Sequence, residues 1–407
     1  MKKLAGFIAV VVVVLFGYLA FTTMSSTDAV AAAAKKKAEA TKAAPAAAPA
    51  APAAPVAKTY SATIYVAGMG GHYAQADVVV DPSNANEPVK ISKLDRLSIN
   101  PAGVDGKQYA THDARIDAND RNIMFWSTYV PDANKKMHVG KSDLKTGKVL
   151  VDVAMTPDPK APAEKAPTYC ASGQSKNFFM PVFMGTEGYV DVLDKKDLSL
   201  KHRLWMSSLG YVKGSYKFTH GTNSPDMKTF VLAVNQAKEG KGTGDIDFIL
   251  VDLAEMEKGN LKQLAKNTLK GEPDKTITFR QYFSNDGKFI MQSAGDRLWV
   301  LDATTLKMVD EKMMPPGNQL HDAQNTPDDK VALLTVRTVT AGCDVEGKPL
   351  VKEGKGVDIT DGTVMFYDFS AKKLSDKQVS VCLGCHKGMG LGDKNAVLCG
   401  IDSNYKK

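Results

Sequence analysis

Six apolar runs that end on aspartate recur along the chain, and they constrain its fold more than any other feature. The aspartates are Asp81, Asp143, Asp194, Asp252, Asp302 and Asp368, and successive ones lie 62, 51, 58, 50 and 66 residues apart. Between residues 59 and 381, short alternating apolar runs are separated by Gly, Pro, Asn and Asp, without long helical periodicity. This spacing is typical of a propeller whose blades carry loop insertions. We therefore predict an all-β fold, a six- or seven-bladed β-propeller.

A second repeat is a polar turn that leads into a new strand. Its clearest copies are Ser224-Pro225-Asp226-Met227-Lys228 and Ser284-Asn285-Asp286-Gly287-Lys288, in which Pro presets φ and Ser or Asp caps backbone groups. These units resemble the β-propeller family that includes the haem d1 propellers and the YVTN-like repeats, although Met227 replaces the usual Gly of the element. The resemblance covers about residues 59–381 and implies architecture rather than activity. Strand 62–67 is expected to complete the last blade.

The amino terminus predicts a membrane segment. Residues 4–21 carry no charge and follow Lys2 and Lys3, so residues 1–24 are predicted to form a signal anchor or transmembrane helix. The best cleavage site, Ala29-Val30-Ala31, lies far downstream of the apolar run, which favours an uncleaved anchor over a cleaved signal. In either case the rest of the chain is expected to be exported, to the periplasmic side of the inner membrane if it stays anchored.

The next segment, residues 25–58, is rich in Ala, Pro and Lys and cannot bury enough apolar surface to fold, so it is predicted to be a linker. Its lysines contribute to the formal net charge of +7. The sequence shows no Arg-rich stripe interleaved with aromatic residues, so no nucleic-acid partner is expected.

The strongest chemical motif is the C-x-x-C-H sequence Cys382-Leu383-Gly384-Cys385-His386. Two thiols at this spacing can bond the vinyl groups of a porphyrin, and the imidazole that follows can bind the iron. We predict one covalent haem c attached through Cys382 and Cys385, with His386 as an iron ligand, in a short haem-binding tail at residues 382–407. Only 21 residues follow His386, so the haem is expected to lie against the propeller. The distal ligand stays open.

The remaining cysteines leave alternatives open. Cys343 and Cys399 could form a disulfide in an oxidising compartment, which leaves Cys170 as a free thiol or a substitute partner. The alternatives to haem are a C-x-x-C disulfide and a zinc site. The four candidate zinc ligands are Cys343, Cys382, Cys385 and Cys399.

Three histidines occupy corresponding repeat positions. His112, His220 and His321 each open a copy of the turn element, and Arg280 takes that place in a fourth. Because equivalent positions of a propeller surround one axis, we predict that these side chains ring the central channel. Imidazoles can bind a metal and Arg can bind an anion, so the channel is a candidate site for a second metal or a tetrapyrrole. The alternative is that the histidines cap turns or join neighbouring blades.

Two other histidines, His138 and His202, lie among Lys or Arg, and we predict that they are solvated.

Two functions fit these motifs. The first is a membrane-anchored periplasmic monohaem cytochrome that transfers electrons between the membrane and periplasmic or extracellular redox partners, such as a quinol-oxidising complex or other cytochromes. The second is a periplasmic oxidoreductase in which a metal or second cofactor in the channel exchanges electrons with the haem. A non-redox scaffold is preferable only if no haem is attached. The sequence has no phosphate-binding loop, serine nucleophile elbow or dinucleotide fingerprint, which disfavours hydrolase and NAD-dependent activities.

Overall fold

The computed structural model of the protein describes most of the chain from residue 58 onwards. The described residues are 58–68, 72–98, 111–128, 131–161, 169–341, 348–349, 351–381 and 398–406. They form six antiparallel sheets and one small hairpin. The fold is a six-bladed β-propeller, which confirms the predicted architecture and settles the number of blades.

The strands are distributed over the blades in chain order. Blade 1 contains β1 (Tyr60–Gly68), β2 (His72–Val80) and β3 (Val89–Ser98). Blade 2 contains β4 (Thr111–Ile116), β5 (Ile123–Thr128), β6 (Met137–Asp143) and β7 (Val149–Met155). Blade 3 contains β8 (Tyr169–Gln174), β9 (Phe178–Phe183), β10 (Tyr189–Asp194) and β11 (Leu200–Trp205), followed by a 3-10 turn at Met206–Leu209.

Blade 4 contains β12 (Tyr216–Asn223), β13 (Thr229–Lys238), β14 (Lys241–Asp252) and β15 (Gln263–Lys270), with helix α1 (Leu253–Glu257) before the last strand. Blade 5 contains β16 (Gln281–Phe283), β17 (Phe289–Ser293), β18 (Arg297–Asp302) and β19 (Met308–Met313). Blade 6 contains β20 (Asn318–Asn325), β21 (Val331–Ala341), β24 (Asp358–Asp368), β25 (Lys373–Leu374) and β26 (Val379–Ser380), and the inserted hairpin is β22 (Val351–Lys352) with β23 (Lys355–Gly356). The last strand, β27 (Leu398–Tyr405), returns to blade 1.

The repeated aspartates occupy one structural position. Each of the six ends the third strand of its blade, or directly follows it in the case of Asp81. In every blade the carboxylate accepts a hydrogen bond from the backbone N–H two residues further on. Asp302, for example, accepts from the N–H of Thr304 and from both the N–H and the hydroxyl of Thr305. The repeated aspartate therefore marks the turn between the third and fourth strands of each blade, because its side chain caps that turn with local hydrogen bonds.

Apolar packing closes the ring of blades. The buried hydrophobic residues form six clusters, and each cluster draws its members from two adjacent blades. The cluster between blades 6 and 1, for example, joins Leu333 and Phe366 to Ile64 and Val78. Because one face of each sheet is buried against the next sheet, no blade is a separate folding core.

Blade 1 is completed in a different way from the one we predicted. The strand at residues 62–67 does not extend the last blade, because β1 lies between β2 and β27. The pairing of β1 with β27 runs from Ala62 opposite Tyr405 to Val66 opposite Ile401. The chain end therefore supplies the innermost strand of the first blade, and residues 398–405 of the predicted tail belong to the propeller.

The fold-class prediction also included a transmembrane helix at residues 1–24, and this part is corrected. No helix within the described part of the chain is long and apolar enough to cross a membrane, and α1 has only five residues. The physical reason is that the apolar residues of the described part are divided among short strands that are separated by polar turns. Residues 1–57, which include the predicted helix and most of the predicted linker, lie outside the described residues.

Candidate functional site in the central channel

Six innermost strands surround the channel. Around the axis, β27 contacts β4, β4 contacts β8, and the contacts continue through β12 and β16 to β20, which contacts β27 again. In a strand, residues two apart point to the same side. Alternate residues of these six strands therefore face the axis, and they form two successive layers of polar side chains.

The deep ring is the layer further from the turns that follow the innermost strands. It contains one residue from each blade, namely Asp113, Cys170, His220, Arg280, Asp322 and Gly400. The Cys170 Sγ atom lies at its centre, 2.7 Å from Asp113 Oδ2 and 3.2 Å from His220 Nδ1. Arg280 Nη1 lies 3.7 Å from the same sulfur and forms an ion pair with Asp113. An acid, a thiol, an imidazole and a guanidinium thus meet in the interior.

Gly400 makes this arrangement possible. A Cβ atom at this position would overlap Asp113 Oδ1 and would approach Arg280 Nη1 to 2.9 Å. Only a residue without a side chain leaves room for the Asp113–Arg280 pair beside β27.

The mouth ring lies one layer closer to the turns. It contains Arg115, Ser172, Thr222, Tyr282, Gln324 and Asp402, again one from each blade. Arg115 donates from Nε to the Ser172 carbonyl at 3.3 Å and from Nη1 to the Ile401 carbonyl at 2.8 Å. Gln324 Nε2 donates to Tyr282 Oη at 3.2 Å and to Asp402 Oδ1 at 2.6 Å. These bonds connect neighbouring blades through residues that are 42 to 286 positions apart in the sequence.

Buried charges of both rings are balanced across blades. Burial opposes the charge of Arg115, but Asp322 and Asp402 outweigh it and raise the pKa of the guanidinium. The Arg115 Nη1 atom is 3.6 Å from Asp322 Oδ2. Burial also raises the pKa of Tyr282, with a further contribution from Asp402. The Tyr282 hydroxyl is therefore held in its neutral form, able to donate a hydrogen bond.

The predicted histidine ring is placed as follows. His220 and His321 lie on the innermost strands β12 and β20 and are buried, and Arg280 directly precedes β16. His321 sits at a register shift in β20, where its ring stacks on Phe279 with centroids 4.6 Å apart. His112 lies in β4, but its side chain is outside the described residues. Among the described residues, no group of three or more His, Cys, Asp or Glu is arranged to hold a metal ion.

The predicted haem residues Cys382, Cys385 and His386 lie outside the described residues, as does Cys343. The segment that contains the motif is bounded by Val381 and Leu398. Val381 is buried, and its N–H donates to the Gly362 carbonyl at 3.1 Å.

Sequence reasoning missed several channel residues, including Asp113, Arg115 and Asp402. The available signal was a pair of polar residues two positions apart just before a turn, as in Asp113 with Arg115 and Arg280 with Tyr282. It also missed the environment of His138, which is not solvated. Its Nδ1 lies 2.8 Å from Asp152 and its Nε2 lies 3.3 Å from Asp132.

No protein-family model and no curated protein matches the sequence. Solved structures with a similar fold include hydrazine synthase of Kuenenia stuttgartiensis, at 16% identity over 66% of this chain and 66% of that one, with a TM-score of 0.41. The periplasmic gluconolactonase PpgL of Pseudomonas aeruginosa is similar over 86% of this chain and 99% of its own, at 12% identity and a TM-score of 0.48. A protein of unknown function from Bacteroides caccae covers 84% and 98%, at 12% identity and a TM-score of 0.45. These similarities concern the propeller fold alone.

Proposed function

We propose that the chain is an extracytoplasmic c-type cytochrome, in which a propeller of the haem d1 or YVTN-like type carries one covalent haem and transfers single electrons between redox proteins. Its thioether bonds would form at Cys382 and Cys385, and His386 would bind the iron. The observation that carries the proposal is the C-x-x-C-H sequence itself, a donor set of two thiols and one imidazole that suits covalent haem. When bound, the haem supplies a one-electron iron couple.

The topology supports this function. The motif falls in the connection between β26 of blade 6 and β27 of blade 1. Val381, at one end, is buried against blade 6, and β27, at the other end, is the innermost strand of blade 1. A group attached in this connection is therefore tied to the propeller on both sides. The propeller would then serve as a rigid docking body for partners such as a quinol-oxidising complex or other cytochromes.

The experiment is a haem determination on protein exported from a host that attaches c-type haem. We expect a pyridine haemochrome with one haem per chain and a reversible one-electron titration. Cys382→Ser and Cys385→Ser should each weaken attachment, and the double variant should abolish it. Cys343→Ser, a cysteine outside the motif, is the matched control and should keep the full spectrum. A visible spectrum that is unchanged in the double variant, or no haem in the wild type, contradicts the proposal.

A second candidate is a redox enzyme in which a group in the channel works with the haem. The observation that favours it is the deep ring, where His220 Nδ1 and Cys170 Sγ are 3.2 Å apart beside Arg280 and Asp113. Metal and tetrapyrrole analysis of the same preparation distinguishes the two functions. A second stoichiometric group that is lost in His220→Ala and His321→Ala while the haem stays would support the enzyme, and one haem without any such group would support the carrier.

A further inference from the structure

A cavity of about 160 Å³ opens at the end of the channel where the innermost strands turn outward. Five residues of the mouth ring, all except Gln324, form its floor, and the turns of blades 2, 4 and 5 form its walls. A single water needs about 10–15 Å³ of cavity volume, so the cavity has room for a small ligand of several non-hydrogen atoms. It is smaller than the cavities of about 300–1,000 Å³ that bind drug-sized ligands, so it suits a small molecule and not a tetrapyrrole.

Charge and hydrogen-bonding capacity in this cavity favour an anion. Two guanidinium groups, Arg115 and Arg121, line it, together with the single carboxylate of Asp402. Asp322, whose Oδ2 is 3.6 Å from Arg115 Nη1 but which lies outside the cavity lining, offsets part of the Arg115 charge. The Asp402 carboxylate is already committed, because Oδ2 accepts from the Ile116 N–H and Oδ1 accepts from Gln324 and from the Ser403 N–H. A cation would therefore have to displace existing bonds to reach it.

Three side chains that line the cavity have a hydrogen-bond donor available to a ligand, whereas the mouth-ring acceptor that has no partner in the described part of the chain, Gln324 Oε1, lies outside the cavity lining. Arg115 is 3% exposed, and its Nη2 has no hydrogen-bond partner among the described residues. A buried guanidinium nitrogen without a partner is costly unless a ligand satisfies it. Tyr282 Oη accepts from Gln324, so its own proton can be donated elsewhere. At the edge of the cavity, Arg121 donates from Nε to Asn404 and from Nη2 to the Ser403 carbonyl, which leaves Nη1 available to a ligand.

Another part of the lining is apolar. It is formed by Ile116, Pro225, Met227 and Phe283. A ligand that matches both parts has a planar anionic head with two acceptor oxygens and a short hydrocarbon body, since guanidinium N–H groups and a phenol hydroxyl donate to carboxylate oxygens.

We infer that this cavity is a binding site for a small organic monocarboxylate, with Arg115 and Tyr282 holding the carboxylate and the apolar wall covering the hydrocarbon part. The inference does not depend on the haem. It assigns the end of the channel opposite to the one at which β27 begins.

The test is a titration of the full protein with ¹³C-carboxyl propionate, followed by NMR, with propionamide and propylamine as neutral and cationic compounds of similar shape. We expect saturable binding of propionate, and binding of propionamide at least tenfold weaker. Equal binding of propionate and propionamide, or no saturable binding of propionate, butyrate or lactate, overturns the inference. Preference for sulfate or phosphate over all carboxylates also overturns it.

Three variants locate the site. Arg115→Lys keeps the positive charge beside Asp322 but loses the unpartnered Nη2 donor, and it should weaken propionate binding by at least tenfold. Tyr282→Phe removes one donor and should weaken it about three- to tenfold. Arg121→Gln, at the exposed edge of the cavity, should weaken propionate binding about two- to fivefold, with less effect at high salt.

Tyr211→Phe is the matched control, because it also removes a buried tyrosine hydroxyl bond, to Asp247, but lies outside the cavity. If the folded Tyr282→Phe and Arg121→Gln variants bind propionate as tightly as this control, the assignment is wrong.

Discussion

The turns at the rim of the blades and the rings of the channel are both built from polar side chains, but they differ in how far their bonds reach along the chain. Each repeated aspartate at the rim bonds to groups two or three residues away. In the channel, Cys170 bonds to Asp113 across 57 residues, and Arg115 bonds to Ile401 across 286. Local bonds leave a repeat in the sequence, whereas bonds between blades do not. The same difference should separate the two regions in their response to mutation.

The largest effect is expected in the channel, from Arg115→Met. This change removes one of the two guanidinium groups beside the buried Asp322 carboxylate and leaves only Arg280, whose Nε lies 3.8 Å from Asp322 Oδ2. It also removes the hydrogen bonds of Arg115 to the Ser172 and Ile401 carbonyls. We expect a loss of about 3–5 kcal/mol in the free energy of unfolding. The measurement is urea denaturation. The double variant Arg115→Met with Asp322→Asn should recover part of the loss, because it removes the buried carboxylate charge that Arg115 no longer balances. Additive losses in the double variant would show that the two side chains are not coupled.

A smaller effect is expected at the rim, from Asp302→Ala. Three local hydrogen bonds to Thr304 and Thr305 are lost, and by analogy with helix caps we expect about 1–2 kcal/mol. Asp302→Asn keeps an acceptor oxygen and is the matched control, with a smaller loss. If Asp302→Ala destabilised the protein as much as Arg115→Met, the distinction between rim and channel would fail.

The backbone of the turns before the second strands should respond less. Gly287 has φ +72°, and a Cβ there would meet only Pro225 Cγ, at 3.7 Å. Gly287→Ala is therefore expected to cost about 1 kcal/mol through the left-handed conformation alone. Gly356→Ala is the control, because nothing lies within 4 Å of its Cβ position and its φ is not positive. Equal thermal stability of the two variants would contradict this expectation.

The smallest expected effect is a pH dependence from His138, whose partners lie 6 and 14 residues away. Burial opposes its charge, but hydrogen bonds and charges of Asp152 and Asp132 prevail and raise its pKa above the ordinary 6.5. The stabilisation is complete below that ordinary value and is lost as the pH rises through the raised pKa of the folded state. Denaturation between about pH 5 and pH 9 should show this loss in the wild type. It should be reduced in His138→Gln and in Asp152→Asn, and an unchanged pH profile in both variants would exclude the pair as its source.

The parts of the molecule that could be predicted are those with local causes. The turn caps at residues such as Asp143 and Asp302 revealed six units, and the turn chemistry around Ser224 and Ser284 revealed where strands begin. Repeat symmetry predicted that His220 and His321 line the channel. His220 is a member of the deep ring, whereas in blade 6 the neighbouring Asp322 takes that place and His321 stacks on Phe279. His138 was misread, because its neighbours in sequence are Lys while its partners are carboxylates on a turn and on the adjacent strand.

Other features could not be predicted, because they depend on which blade each strand joins. Nothing in residues 398–405 shows that they pair with β1, because strand pairing over more than three hundred residues is decided by which blade lacks an inner strand. The role of Gly400 follows from that pairing alone.

The sequence by itself determined the β-propeller architecture, the six repeated units and the C-x-x-C-H motif, since each is encoded by residues that act on their near neighbours. Only the tertiary structure decided the closure of blade 1 and the composition of the two rings. It brings one residue from each blade to a common axis, and these residues need only complement one another in charge and volume. Such complementarity does not require the same residue type in every blade, so no sequence pattern indicates the composition of the rings.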